Sequence, residues 1–154
     1  GPAITGMAIN NDDAMISLNN IPHDIELIAS IFNSLAQDDI NIDMISQTSP
    51  QNGMVSISFT LPKGMLSEGV KIINSYIDKY PNIHMDINED ITKLSVVGIG
   101  MRSQSGVAAK MFMLLAEAEI PIYMVTTSEI RISYVIHPDH QQKSVEIIAG
   151  AFNL

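Results

Sequence analysis

The residues best suited to binding chemistry lie in two loops in the second half of the chain. One loop, residues 98–108, precedes a predicted helix, and its Gly106 and Ala108 leave the backbone open to close approach. The free N–H groups and positive dipole end of a helix start favour a carboxylate or a phosphate. The other loop, residues 126–129, places the carboxylate of Glu129, which can accept an ammonium group, beside hydroxyls. Together these features suit a free amino acid, although each alone also fits an ordinary turn or a solvated charge.

The first half of the chain has an equivalent loop with a different charge. It covers residues 20–27, and Gln47 ends the strand predicted after its helix, where the amide can bond the polar ends of a ligand. His23, Asp24 and Glu26 also fit a purely structural role, as the cap and charge complement of the helix start. That role is favoured here, because Glu26 replaces the small residue of the second loop and repels a carboxylate.

Both loops belong to an internal duplication. Residues 16–48 align without a gap with residues 96–128, at a constant offset of 80. Seven identities fall at positions expected to face a core. They are Ala29/Ala109, Phe32/Phe112, Leu35/Leu115, Ala36/Ala116, Ile40/Ile120, Ile42/Ile122 and Met44/Met124. This pattern favours true duplication over a chance likeness between two amphipathic β-α-β segments.

Each copy begins with a strand, a loop and a helix. The strands are predicted over residues 14–18 and 94–99. In the first copy the apolar residues from Leu27 to Leu35 have the i, i+3/i+4 spacing of one buried helix face. Asp24 is the expected N-cap of this helix, and Ser103 or Ser105 that of its counterpart. Strands with alternating apolar residues are predicted next, over residues 40–44 and 120–124.

The remaining elements complete a β-α-β-β-α-β order in the first copy. Residues 51–53 supply a turn before a strand at 54–61, and residues 127–128 make a tighter turn before a strand at 130–136. Helices follow at about 63–79 and 139–152, opened by Pro62 and Pro138. A last strand at residues 83–88 belongs to the first copy alone, which leaves the second copy one strand short.

The N-terminal residues 4–9 form a β-competent segment that the first copy does not need. A split βαβ sheet buries its apolar face only when all four strands are present. We therefore predict an α+β protein of two ferredoxin-like βαββαβ units. Unit A, residues 12–89, is inserted into unit B, which consists of residues 1–10 plus 91–154.

Composition disfavours several classes of function. The net charge is −9, with 8 Lys and Arg against 17 Asp and Glu, so neither nucleic acid nor an anionic membrane is an expected partner. The chain has no cysteine, which excludes disulfides and thiolate zinc sites. His137 and His140 flank a predicted turn and have no third ligand nearby in sequence, which disfavours a metal site. No secretory leader and no apolar run of about 20 residues is found, so a cytoplasmic location is expected.

Several strings of residues resemble the C-terminal regulatory region of bacterial aspartokinases. The most specific are Gly100-Met101-Arg102-Ser103 and Thr127-Ser128-Glu129-Ile130, and the likeness covers essentially the whole chain. The resemblance implies two ACT domains, one inserted in the other, and feedback inhibition by lysine, threonine or both at ACT–ACT interfaces. It also implies a homodimer, or pairing with a full-length kinase chain through ACT domains.

The resemblance also assigns effector-binding residues by position. They are His23, Asp24, Glu26, Leu27, Ile28, Ile42 and Gln47 in unit A, and Val107, Ala108, Ile122, Ser128 and Glu129 in unit B. Unit A departs from the family's Asp-x-Pro-Gly loop, which leaves open one effector per pair of units, a different effector, or an empty unit A site. No catalytic residue, cofactor or metal is expected in this chain, since ATP and magnesium would belong to a kinase domain.

Three other functions are weighed against this one. A purely structural dimerisation module with decayed effector sites predicts a dimer that forms without ligand. A small acylphosphatase-like enzyme would use Arg102, but it lacks a partner amide to position water. An RNA-binding variant of the fold is disfavoured by an aromatic content of 5% and the acidic charge balance.

Overall fold

A computed structural model describes residues 2–102 and 106–154 of the chain. The described residues form two compact units, one running from Asp12 to Glu89 and the other joining the residues up to Asn11 with those from Asp90 onward. In chain order the elements are β1 (Gly6–Asn10), β2 (Asp13–Pro22), α1 (Ile25–Gln37), β3 (Ile45–Gln47), β4 (Met54–Pro62), α2 (Leu66–Ile77), β5 (His84–Asn88), β6 (Thr92–Val97), α3 (Val107–Glu117), β7 (Met124–Thr127), β8 (Arg131–Ile136) and α4 (Gln141–Phe152).

Each unit contains a four-stranded antiparallel sheet and two α-helices. The strand order is β3-β4-β2-β5 in unit A and β1-β6-β8-β7 in unit B. The N-terminal strand β1 pairs with β6, from Gly6 opposite Val97 to Asn10 opposite Lys93. The predicted fold class, with two βαββαβ units and the first inserted into the second, is confirmed.

The core of unit A lies between one face of its sheet and the two helices. The buried face of α1 consists of Leu27, Ile28, Ile31 and Leu35, as the periodicity predicted. Phe59 of β4 is fully buried, and its ring meets that of Phe32 edge to face with centroids 5.3 Å apart. Such burial is the main source of stability in a unit of this size.

The core of unit B repeats this arrangement on a different set of residues. Val96 of β6 packs in one buried cluster with Met111 and Leu115 of α3, Tyr134 of β8 and Ile148 of α4. The cluster also takes in Ala3 and Ile4, which precede β1. The N-terminal residues therefore contribute side chains to this core as well as a strand to its sheet.

The strands predicted over residues 40–44 and 120–124 are wrong in position, because β3 begins only at Ile45 and β7 only at Met124. Burial does alternate as expected, with Ile40 and Met44 buried and Asp43 exposed. The ladder is interrupted at Thr60, whose hydroxyl accepts from Met44 N–H at 3.0 Å and whose carbonyl accepts from Asp43 N–H at 3.1 Å. Two consecutive residues thus bond to a single residue of β4.

Other boundaries also differ from the sequence prediction. Strand β6 ends at Val97, and the predicted strand residue Ile99 instead opens a 3-10 turn, Ile99–Arg102, with its side chain 75% exposed. The helices predicted from Lys63 and Asp139 begin as 3-10 turns, Lys63–Met65 and Pro138–His140, before α2 and α4 start. The predicted caps Ser103 and Ser105 lie outside the described residues.

The expectation that all seven repeat identities face a core is wrong for the alanines. Ala29 and Ala36 on α1, and Ala109 and Ala116 on α3, are exposed. Phe112 is 43% exposed even though its ring meets Tyr134 edge to face. Residues spaced three or four apart include positions at the border of the buried helix face as well as positions within it. Alanine is small enough to fit at either kind of position.

Of the helices that the structure describes, none combines the length and the apolar character required to cross a bilayer.

Candidate functional site

The start of α1 is capped by its own chain. Asp24 has extended backbone angles, and its carboxylate accepts a hydrogen bond from Glu26 N–H at 3.0 Å, which confirms the predicted N-cap. Glu26 places a second carboxylate in the first turn. Both side chains are exposed, and so is the side chain of His23. The backbone N–H of His23 donates to Gly53 O at 2.8 Å. The positive end of this helix dipole is therefore already complemented by negative charge.

A groove of about 230 Å³ lies between the start of α1 and the end of α2. It brings together three of the predicted effector residues, Asp24, Glu26 and Leu27, and its other walls are Ser30, Tyr76, Lys79 and Tyr80. The Tyr76 hydroxyl donates to Ser30 O at 2.9 Å and lies 2.6 Å from Ser34 Oγ, so it joins the two helices. No sequence pattern indicates Tyr76, Lys79 and Tyr80 as residues of a site, because only the packing of α2 on α1 brings them there.

The other predicted unit A residues lie outside this groove. Ile28 is buried in the core, and Ile42 packs partly buried against it. Gln47 is exposed at the end of the edge strand β3. The next residue, Thr48, lines a polar cavity of about 450 Å³. The lining residues are Asn20, Thr48, Ser49, Gln51, Asn52, Met54, Val55 and Ser56. None of these described lining residues is charged, so hydroxyls and amides would dominate recognition there.

The start of α3 differs from that of α1. Its N-cap is Gly106, with a left-handed φ of 87°, and its first turn holds no acidic residue. Among the residues that the structure describes, no side chain caps this helix. Within residues 2–102 and 106–154, the first N–H groups of α3 therefore meet no capping side chain, and the positive end of its dipole favours an anion there.

A cavity of about 290 Å³ adjoins this helix start within unit B. Its walls are Pro2, Ala3, Ile4, Gly106, Val107, Lys110, Ala151, Phe152 and Asn153. Lys110 Nζ lies 3.5 Å from Ala151 O and 4.7 Å from the centre of the Phe152 ring, which places a cation at the C-terminus of α4. Of the predicted residues, Val107 lines this cavity, whereas Ala108 and Ile122 pack partly buried against the unit B core.

The β7–β8 turn carries the last two predicted residues. Ser128 N–H donates to Arg131 O at 2.8 Å, and Ser128 Oγ accepts from Arg131 N–H at 3.1 Å. The serine therefore shapes the predicted tight turn and holds Glu129 at its tip. Glu129 is exposed and takes part in an interaction within the chain.

Gly98 and Gly100 of the predicted binding loop are required by the chain's own backbone. A Cβ at Gly98 would overlap the carbonyl oxygen of Ala3 and lie 2.7 Å from its carbon. A Cβ at Gly100 would lie 2.8 Å from Ala3 Cα and 2.9 Å from Pro2 O. These glycines thus allow the backbone of the N-terminal segment to pack closely against the loop. From the sequence alone, this packing could not be distinguished from close approach by a ligand.

The histidines His137 and His140 lie in the segment that leads into α4. Within residues 2–102 and 106–154, no group of three or more His, Asp or Glu side chains is placed to hold a metal ion. His137 instead accepts a hydrogen bond at Nδ1 from Asp139 N–H, at 3.1 Å, in the 3-10 turn before α4.

Comparison with known proteins agrees with the two-unit fold. A family model of the ACT domain matches residues 16–76 and again residues 94–152, one match in each unit. The fold and these matches define a protein with two ACT domains, in which the N-terminal strand β1 completes the second sheet.

The relatives and solved structures that this chain matches show which proteins with two ACT domains it is similar to. The aspartokinase of Helicobacter pylori is 34% identical over 153 residues, which are 99% of this chain and 37% of that protein. The ligand-free regulatory subunit of aspartate kinase from Thermus thermophilus matches with a TM-score of 0.89 and 33% identity, over 97% of this chain and 99% of that one. A chain from the crystal structure of aspartokinase alpha and beta subunits matches with a TM-score of 0.89 and 36% identity, over 99% of this chain and 100% of that one. The chain belongs to the aspartokinase family and corresponds to its regulatory region. It spans about 37% of the length of the curated aspartokinases it matches.

Proposed function

We propose that this chain binds a free amino acid, lysine, threonine or both, and imposes feedback inhibition on an aspartate kinase catalytic chain. The observation that carries the proposal is the match over 99% of the Thermus thermophilus regulatory subunit, a chain with the same two-unit extent. Under this proposal ATP and magnesium belong to the kinase domain, and this chain supplies the effector site and the contacts that transmit its occupancy.

The contrast between the two helix starts supports unit B as the principal effector unit. A ligand carboxylate near α1 meets Asp24 and Glu26. Near α3 it meets a first turn without an acidic residue and N–H groups that no side chain of the described residues caps. Opposite charge at a helix N-terminus contributes about 0.3–1 kcal/mol, and like charge there opposes binding. We therefore assign Val107 and Ala108 to the carboxylate end of the effector.

The ammonium end of the effector is assigned to the β7–β8 turn. Glu129 is the exposed carboxylate at the turn tip, and the bonds of Ser128 to Arg131 fix the turn. Ile122 lies partly buried against the core of the same unit and offers an apolar wall. In unit A the polar cavity next to Gln47 is the corresponding place for a second effector.

A partner chain is the other part of the proposal. The matched aspartokinase alpha and beta subunits suggest pairing of this chain with a full-length kinase chain through its ACT domains. A homodimer is the alternative pairing. The strands β3 and β5 in unit A, and β1 and β7 in unit B, lie at the edges of the two sheets, and a sheet edge is where a strand of a partner chain can pair.

Calorimetric titration of the chain with lysine, with threonine and with both tests the proposal. We expect saturable binding to the wild type and roughly tenfold or greater weakening in Glu129→Gln, because a hydrogen bond to a charged group contributes about 1.5–3 kcal/mol. Glu117→Gln is the matched control, since Glu117 is an exposed glutamate at the end of α3, outside the proposed site.

Flat titrations with both amino acids, together with a dimer that forms without ligand, would instead assign the chain to a structural role. Equal affinity of Glu129→Gln and Glu117→Gln would remove the ammonium site from the β7–β8 turn while leaving the regulatory function intact.

A further inference from the structure

Residues 2–5, here called the strap, cross over Gly98 and Gly100, here called the seat. Ala3 is 8% and Ile4 is 1% exposed, and Thr5 N–H donates to Val97 O at 2.8 Å. Backbone atoms of the strap occupy the space that side chains at Gly98 and Gly100 would need. Backbone atoms cannot move aside as the end of a flexible side chain can. The strap is therefore held by close backbone approach as well as by burial.

The seat also contacts the turn that carries Glu129. Gly98 N–H donates to Ile130 O at 2.8 Å, one residue beyond Glu129. The strap also lines the 290 Å³ cavity, together with Gly106 and Val107 at the start of α3. The strap and seat thus adjoin both segments that the proposed function assigns to the effector.

We propose that the strap, the β7–β8 turn and the start of α3 form one cooperative unit, and that effector binding in unit B tightens the strap on its seat. The second part rests on the proposed function, whereas the first does not. The seat follows β6 and precedes α3 in the chain, and Gly98 bonds to Ile130 beside the β7–β8 turn. A ligand that holds the start of α3 and this turn together therefore also restrains the seat. The strap then transmits the effect of effector binding in unit B to β1, the strand that directly follows it in the chain.

Hydrogen exchange of individual amides tests the first part without any ligand. In Gly98→Ala the new Cβ must displace the strap, so the Thr5 amide should exchange at least tenfold faster than in the wild type. If the three segments are one unit, the amides of Ser128 and Lys110, which bond to Arg131 O and Gly106 O at 2.8 Å each, should accelerate with it.

Two references separate this effect from a general loss of stability. The Tyr123 amide, bonded to Val135 O at the other end of β8, should keep its wild-type exchange rate. Gly150→Ala is the matched variant, because nothing lies within 4 Å of a Cβ at Gly150, and it should leave all four amides unchanged. If Gly98→Ala fails to fold, removal of residues 1–3 takes away the Pro2 and Ala3 backbone atoms that contact the seat, and the same amides report on the result.

Acceleration of Thr5 alone, with Ser128 and Lys110 at their wild-type rates, would overturn the cooperative unit. The second part is tested by adding lysine or threonine to the wild type, where the Thr5 amide should slow at least fivefold at saturation. Saturable binding without slowing of Thr5 would overturn it. If neither amino acid binds, the proposed function fails, and the comparison of Gly98→Ala with Gly150→Ala still decides the first part.

Discussion

The carboxylate of Asp24 accepts the backbone N–H of Glu26 at 3.0 Å, so the helix start that sequence comparison nominates for an effector is already capped. The same bond explains how unit A can keep its helix without the glycine that the family places in this loop. Its counterpart in unit B begins at Gly106, which has no side chain with which to cap. The two copies of one motif have thus diverged at the N-cap of this helix.

Replacement of Asp24 should show whether it is a cap or a ligand contact. Asp24→Ala is expected to lower the free energy of unfolding by about 1 kcal/mol through loss of the cap. Asp24→Asn should lose much less, because the amide oxygen still accepts from Glu26 N–H. Urea denaturation of the three proteins measures this, and an asparagine variant as unstable as the alanine variant would contradict the capping role.

The central strands of both units carry a pair of hydrogen-bonded serines. Ser95 Oγ and Ser133 Oγ lie 2.7 Å apart and are buried, whereas Ser17 Oγ and Ser58 Oγ lie 2.9 Å apart and are partly buried. Ser95→Ala leaves the Ser133 hydroxyl buried without a partner and should cost about 1–3 kcal/mol of unfolding free energy. Ser17→Ala, the matched change in unit A, should cost less, because water can reach Ser58.

The double variant Ser95→Ala/Ser133→Ala sharpens the test of the buried pair. Since it removes both partners, its cost should be smaller than the sum of the two single changes. Thermal unfolding of the wild type, the two single variants and the double variant completes this double-mutant cycle. Simple additivity would show that the two hydroxyls do not depend on each other.

Tyr134 and Ser144 have buried hydroxyl oxygens without a hydrogen-bond partner among the described residues. Tyr134→Phe should therefore raise the free energy of unfolding at neutral pH by about 1 kcal/mol. Burial raises the pKa of the Tyr134 hydroxyl from 10.0 to about 12. Above pH 10 the unfolded chain releases this proton first, so the wild type loses stability up to pH 12.

The advantage of Tyr134→Phe should consequently grow between pH 10 and pH 12, which denaturation at several pH values can measure. Ser144→Ala is the control for the hydroxyl effect, since it removes the other unpartnered hydroxyl but no group that titrates in this range. A phenylalanine variant that tracks the wild type at every pH would place the Tyr134 hydroxyl in contact with water.

Thr60 should be sensitive to a change that keeps its shape but removes its hydroxyl. Thr60→Val leaves Met44 N–H without its acceptor in a buried position, at an expected cost of about 1–3 kcal/mol. Thr60→Ser keeps the oxygen and should lose only the methyl contribution, about 1 kcal/mol. Chemical denaturation distinguishes these outcomes, and equal losses would assign the effect to packing alone.

The parts of the fold that were predictable depend on local rules or on counting. The Asp24 cap depends on residues two apart, and the closure of unit B by β1 followed from the missing fourth strand. The position of β3 was not predictable, because Thr60 lies 16 residues beyond Met44 and takes over its hydrogen bond. Alternating apolar residues report burial, which was correct at residues 40–44, but they do not report ladder pairing.

The candidate site was predictable only where a helix start defines it. The residues of the unit A groove contributed by α2, among them Tyr76 and Lys79, meet the start of α1 through tertiary packing that has no sequence pattern. The approach of Ala3 to Gly98 joins residues far apart in the chain, and a glycine in a loop does not say which neighbour requires it.

The inserted arrangement has a consequence for the order of events during synthesis. The residues of β1 leave the ribosome before those of unit A, yet their partner strand β6 follows only after all of unit A has been made. Met15 and Asn88 are paired within unit A, so once that unit folds the two ends of the insert lie side by side. The search of β1 for β6 then spans a short tether instead of a long flexible loop, and the entropy lost on closing it is smaller.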